Sequence, residues 1–145
     1  MHKGIVFVTA GRWQMPAIKM AKELGFYIIA IDSNPDAPGL KISNFSIVIE
    51  LNRITEILKR IDDLKVEVEG VVSYCSEVGV FTAAQIREYY KLGFPNTEQV
   101  SIFLNKSLQR KKLDEGGFIN PKWIEINNTA AVSYTHLTLP TIYSV

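Results

Sequence analysis

Three short stretches carry the residue types that do chemistry, and each follows a run of apolar residues. "TAGRWQMP" places Arg12, Trp13 and Gln14 behind "GIVFV"; "DSNPDAPG" opens with Asp32 and Asn34 behind "FYIIAI"; "SYCSEVGV" brings Cys75 and Glu77 behind "GVV". An arginine clamps a carboxylate or phosphate through two parallel N–H bonds, and a glutamine beside it can orient the same anion. Against that stand a solvated Arg12 and a Trp13 packed on the next helix. Asp32 and Asn34 either bind a substrate or close their loop as turn formers. Glu77 either receives an amine or hydroxyl, or is an acid favoured by the dipole at a helix start. Asp32 lies about 20 residues beyond Gly11, where a ribose-binding acid would stand. The loop nevertheless holds only Gly11 and lacks the G-x-G-x-x-G spacing that lets backbone approach a pyrophosphate, which disfavours a nicotinamide-dependent oxidoreductase. Cys75 has no histidine near it in sequence and reads as an inert core thiol. Two histidines and one cysteine supply no cluster of zinc spacing, so no metal ligand is assigned.

The elements that position these loops follow from hydrophobic pattern. "GIVFV" (4–8), "FYIIAID" (26–32), "FSIVIEL" (45–51) and "GVVSY" (70–74) are short apolar runs between turn signals, as expected of strands buried on both faces. Between them lie helical periods. One starts at Pro16 with Ile18, Ala21 and Leu24 inward and Gly25 as its cap; another carries Ile54, Ile57, Leu58, Ile61 and Leu64. A further helix is expected over 79–91 with Ala83, Ala84 and Ile86 inward. Strand–helix alternation implies an α/β fold, a Rossmann-like parallel sheet with helices on both faces. From Gly93 the rhythm changes to a helix beginning near Thr97, a second over Lys106 to Glu115, a Gly116-Gly117 stop and a strand at "KWIEI". "KSLQRKK" (106–112) is read as a solvated helix face with one functional lysine, since Asp114 and Glu115 follow at once.

The chain has 145 residues, 16 basic against 15 acidic, net charge +1 and one cysteine. That length fits one domain, or one domain and the start of another. The charge balance calls for neither nucleic acid nor an anionic membrane, and the lone cysteine and absence of a signal or spanning segment suit a cytoplasmic protein.

"GRWQMPAIKMAKELGFYIIAIDSNPDAPGLKISNFSIVIEL", "EGVVSYCSEVGVFTAAQI" and "NKSLQRKKLDEGGFINPKW" together resemble, in order, the preATP-grasp domain and the beginning of the ATP-grasp domain of ATP-grasp ligases. The likeness is to the carboxylate–amine and carbamoyl-phosphate-synthase-like members. It implies a preATP-grasp domain over 1–92 and a truncated ATP-grasp start over 93–131. It further implies ATP and Mg2+ as cofactors, a small-molecule carboxylate and amine as partners, and an acylphosphate intermediate; a homodimer is admitted. Lys106 matches a nucleotide-contacting lysine; Gly11, Arg12, Gln14 and Glu77 match substrate-contacting positions, to which the residue reading adds Asp32. The family's second ATP lysine, glycine-rich flap, adenine-binding hinge and late Mg2+ ligands have no counterpart here, so no catalytic residue is assigned and the chain is expected to be an inactive fragment. The alternative is a non-catalytic Rossmann-like module that binds a nucleotide or metabolite.

The last twenty residues carry no Lys, Arg, Asp or Glu. "VSYTHLTLPT" would pass for an edge strand, but it also matches the translation of a transposon-type sequencing adapter. Residues 132–145 are therefore set aside as a non-native, adapter-derived tail, with the native sequence expected to end near Ala131.

Overall fold

Val6, Phe7 and Val8 are all inaccessible to solvent, which requires their strand to lie inside a sheet covered on both faces. The computed structural model describes residues 2–125 and has this arrangement. Its strands are β1 (Lys3–Val8), β2 (Tyr27–Asp32), β3 (Phe45–Val48) and β4 (Glu67–Val72). They form a parallel sheet in the order β3-β2-β1-β4. The helices are α1 (Met15–Glu23), α2 (Pro38–Ile42), α3 (Ile54–Asp62), α4 (Glu77–Tyr89), α5 (Thr97–Leu104) and α6 (Lys106–Glu115). The strands' alternation divides the interior in two. Val6, Val8, Ile29 and Ile31 pack with Ile57, Ile61, Ala83 and Ile86 of α3 and α4. Phe7, Ile28 and Ala30 pack with Ile18, Ala21 and Leu40 of α1 and α2. The expected α/β fold with helices on both faces is the observed one.

The described chain divides into two compact units, one running Met1–Asn105 and the other beginning at Lys106. In the first, α3 and α4 are joined by Asp62, whose two carboxylate oxygens accept from the hydroxyls of Tyr89 at 2.7 Å and Tyr90 at 2.6 Å. α5 starts with a capping box between Asn96 and Gln99, and Glu88 of α4 accepts from both the backbone N–H and the hydroxyl of Thr97. In the second unit Asp114 of α6 accepts from Asn120 at 2.7 Å and from the Trp123 indole at 2.9 Å. Those two bonds, in that order of weight, hold its carboxyl below the ordinary aspartate pKa.

Several expectations are corrected. The third strand ends at Val48 rather than Leu51, because the chain turns at Glu50 to Arg53, although the N–H of Ile49 still reaches the Asp32 carbonyl. The fourth strand starts earlier and ends earlier than 70–74; Glu67 and Glu69 face outward on the sheet edge, where Glu69 pairs with Lys3, and their charge disguised the strand. α4 begins at Glu77, two residues ahead of the expected start, since Ser76 caps it by accepting from Gly79 N–H. α2 was hidden in a segment whose Asn, Pro, Asp and Gly read as loop. Leu24, assigned to the inward stripe of α1, is a largely exposed cap residue, and Cys75 is exposed rather than a core thiol. Lys122 to Glu125 form no strand; Trp123 and Glu125 instead make side-chain bonds back to Asp114 and Lys111 of α6. The tail from 132, and Ile126 at the end of that expected strand, lie outside the described residues.

Candidate functional site

After β1 the chain moves outward through β2 and β3, then returns to the other flank of β1 with β4. The loops leaving β1 and β4 therefore diverge around a switch point, the place where open α/β sheets form a ligand crevice at their carboxyl edge. The loops after β1 and β4 meet here through side chains. Gln14, 5% exposed, turns inward and donates from Nε2 to the Tyr74 carbonyl at 2.8 Å. Tyr74 returns the link, its hydroxyl donating to the Trp13 carbonyl at 2.9 Å. Asp32 fixes the same loop from β2: Oδ2 accepts from Ala10 N–H at 2.7 Å and Oδ1 from Asn34 N–H at 2.9 Å. The Ala10 carbonyl then accepts from Gly39 N–H of α2 at 2.7 Å.

This bracing leaves Gly11 at the head of a single 3-10 turn, Arg12–Gln14, with Arg12 and Trp13 presented to solvent. Arg12 makes no hydrogen bond or ion pair among the described residues, so its fork of donors remains available. Gln14 and Asp32 brace the loop, whereas the Arg12 side chain faces solvent.

The crevice floor is strained and polar. Thr9 (φ 72°) and Cys75 (φ 59°) adopt left-handed backbone, a conformation disfavoured for side-chain-bearing residues and above all for a β-branched one. The Thr9 and Ser73 hydroxyls are buried without a hydrogen-bond partner among the described residues. Gly79 lets the first turn of α4 approach them: a Cβ there would lie 2.7 Å from Ser73 Oγ and 3.0 Å from Thr9 Cγ2. Sequence reading missed Thr9, Ser73 and Tyr74; the polar residues that interrupt the apolar runs at "VTA" and "VSY" were the available signal.

Glu77 is the first residue of α4, exposed and without a side-chain partner among the described residues. It lines a groove of about 420 Å³ with Leu51, Asn52, Val78, Phe81 and Leu104. Lys106 opens α6 in the second unit, exposed, at a helix end whose free N–H groups also favour anions.

No family model matches the chain. Over 106 residues it is 26% identical to the formate-dependent phosphoribosylglycinamide formyltransferase of Prochlorococcus marinus, spanning 73% of this chain and 27% of that protein. The phosphoribosylglycinamide synthetase of Anaerococcus prevotii shares the fold at a TM-score of 0.73 and 21% identity, over 90% of this chain and 33% of that one. The N5-carboxyaminoimidazole ribonucleotide synthetase of Thermotoga maritima does so at 0.64 and 21%, over 91% and 35%. A biotin carboxylase domain of Hydrogenobacter thermophilus 2-oxoglutarate carboxylase, solved with MgADP and bicarbonate, matches at 0.57 and 19%, over 81% and 28%. The chain thus spans about a quarter to a third of these proteins' length, and the resemblance to ATP-grasp ligases is found in both sequence and fold.

Proposed function

We propose that the chain is the substrate-side portion of an ATP-dependent ligase that joins a carboxylate to an amine through an acylphosphate. The observation that carries this reading is the braced loop at the β1/β4 switch, which holds an unpaired arginine outward in a fold shared with such ligases. Residues 1–92 form its preATP-grasp domain and 93–131 begin its ATP-grasp domain; the remainder lies beyond this sequence.

In the proposed reaction a carboxylate oxygen attacks the γ-phosphorus of ATP and the bond from that phosphorus to ADP breaks. The amine nitrogen then attacks the acyl carbon, phosphate leaves with the bonding pair, and the nitrogen gives up a proton. Arg12 holds the anionic group of a substrate in a bidentate grip, with Gly11 leaving its approach clear. Gln14 and Asp32 fix the loop that carries Arg12, and Glu77 pairs with the amine. Lys106, with the α6 N-terminus, balances phosphate charge as ATP binds. Mg2+ would supply further charge neutralisation. Its ligands belong, in this reading, to the part of the protein beyond this sequence.

The test uses the full-length product of the source locus. With ATP, candidate carboxylates and hydroxylamine, hydroxamate should form in step with ADP, because hydroxylamine intercepts an acylphosphate. Arg12→Ala should raise KM for the anionic substrate by about 10- to 100-fold, with a smaller change in kcat. ADP release without hydroxamate for every carboxylate tried would remove the acylphosphate assignment.

A further inference from the structure

The groove beside α4 has a charged end and apolar walls. Of the residues lining it, Glu77 is the one with a charge, and it stands at the helix start; Leu51, Val78, Phe81 and Leu104 supply apolar walls. Val78 is 65% exposed, far more than a helix residue facing its own core, and Phe81 and Leu104 remain more than a third exposed. The lining hydroxyl of Thr82 is already committed, donating to the Leu51 carbonyl at 3.0 Å. The side-chain amides of Asn52 and Gln85 have no hydrogen-bond partner among the described residues. A volume of about 420 Å³ lies within the range of small-ligand sites, which are mostly apolar with a few convergent polar groups. Charge complementarity then fixes the occupant's two ends: a cation at Glu77 and hydrocarbon against Val78, Phe81 and Leu104.

We infer that this groove binds a primary ammonium bearing a branched alkyl or aryl substituent, and that, within the ligase reading on which this rests, the neutral amine formed when this ammonium gives one proton to solvent is the nucleophile. Glu77 accepts hydrogen bonds from the ammonium, Asn52 and Gln85 accept or donate at the polar flank, and the substituent leaves water for the Phe81 wall. A small hydrophilic amine makes the first contact alone.

The experiment is a 15N–1H NMR titration of the 145-residue chain with isoamylamine, using ethylamine as the short-chain control. Isoamylamine should shift the amides of Asn52, Val78, Phe81 and Gln85 and half-saturate at about tenfold lower concentration than ethylamine, from the added apolar burial. Glu77→Gln should weaken isoamylamine by about tenfold with the spectrum otherwise superimposable, the loss expected for a charge-assisted hydrogen bond. Val78→Asn should erase the preference between the two amines while leaving ethylamine unchanged. Shifts unaffected by Glu77→Gln, no shift at the groove, or shifts there that follow protein concentration without amine would each overturn the inference, the last by assigning the face to a second copy of the chain. The titration needs neither ATP nor turnover. A silent groove in a protein that forms hydroxamate removes only this inference, while amine binding without hydroxamate removes the ligase reading.

Discussion

At the scale of single residues, the crevice is held by a few short bonds whose removal has distinct signatures. Asp32 accepts from two backbone N–H groups, and Asp32→Ala strands the N–H of the buried Ala10, in the loop just beyond β1. The chain should lose about 1.5–3 kcal/mol, the range for hydrogen bonds to a charged acceptor, read from urea unfolding. Gly79→Ala puts a methyl group 2.7 Å from Ser73 Oγ, and the side chain of Ser73 or the first turn of α4 must shift. A loss of about 1–3 kcal/mol is expected, together with NMR shifts at Thr9 and Ser73; an unchanged midpoint would mean that the crevice floor yields freely. The residue reading left Asp32 balanced between ligand and turn former. The loop's turn composition marked its backbone role correctly, but no local signal tells that the carboxylate crosses to a neighbouring strand. Cys75 was misread for the converse reason. The lack of a nearby histidine in sequence argued against reactivity but carried no information on burial, and the left-handed backbone at Cys75 has no glycine to announce it.

Among the elements, α3 and α4 carry the most testable joint. Burial first, then its hydrogen bond to Asp62, raises the Tyr90 phenol well above its ordinary pKa. A raised phenol pKa favours the neutral form in the folded state. Its contribution to stability is therefore present below the unfolded value near about 10, and is lost as pH rises from there toward the folded value. The chain should lose stability more steeply above about pH 10 than Tyr90→Phe does, measured as urea midpoints across that range. At the other end of α4, Lys91 occupies a left-handed position (φ 56°) in a cap where Lys91 N–H bonds the Glu88 carbonyl and Leu92 N–H the Arg87 carbonyl. Lys91→Gly relieves the side-chain penalty and should raise stability by about 0.5–1 kcal/mol; a fall would place the strain elsewhere. Strands with pure apolar runs, such as Val6 to Val8, were legible because both faces are buried. β4 was half-hidden because its outer edge is charged, and α2 because helix-breaking residues form its first turn.

For the molecule as a whole, the parallel sheet and the loops gathered at its carboxyl edge follow from strand–helix alternation, since parallel neighbours require crossovers, whereas the strand order β3-β2-β1-β4 was not legible in the sequence. The link between Gln14 and Tyr74 spans sixty positions of sequence and was beyond any periodic signal. The Glu77 groove likewise needs α5 to be placed before its wall at Leu104 exists. Under the proposed function this sheet edge selects substrate and phosphoryl transfer belongs to a larger region, so the 145-residue chain alone should consume no ATP with any carboxylate and amine pair. The most direct measurement is to re-sequence the source DNA across codon 131 from a library made without transposon adapters. An open frame that continues into a second lysine, a glycine-rich loop and late acidic residues is the predicted result. Codons for Val132 to Val145 followed by a stop in the genome would contradict it, leaving a short binding module in place of the ligase.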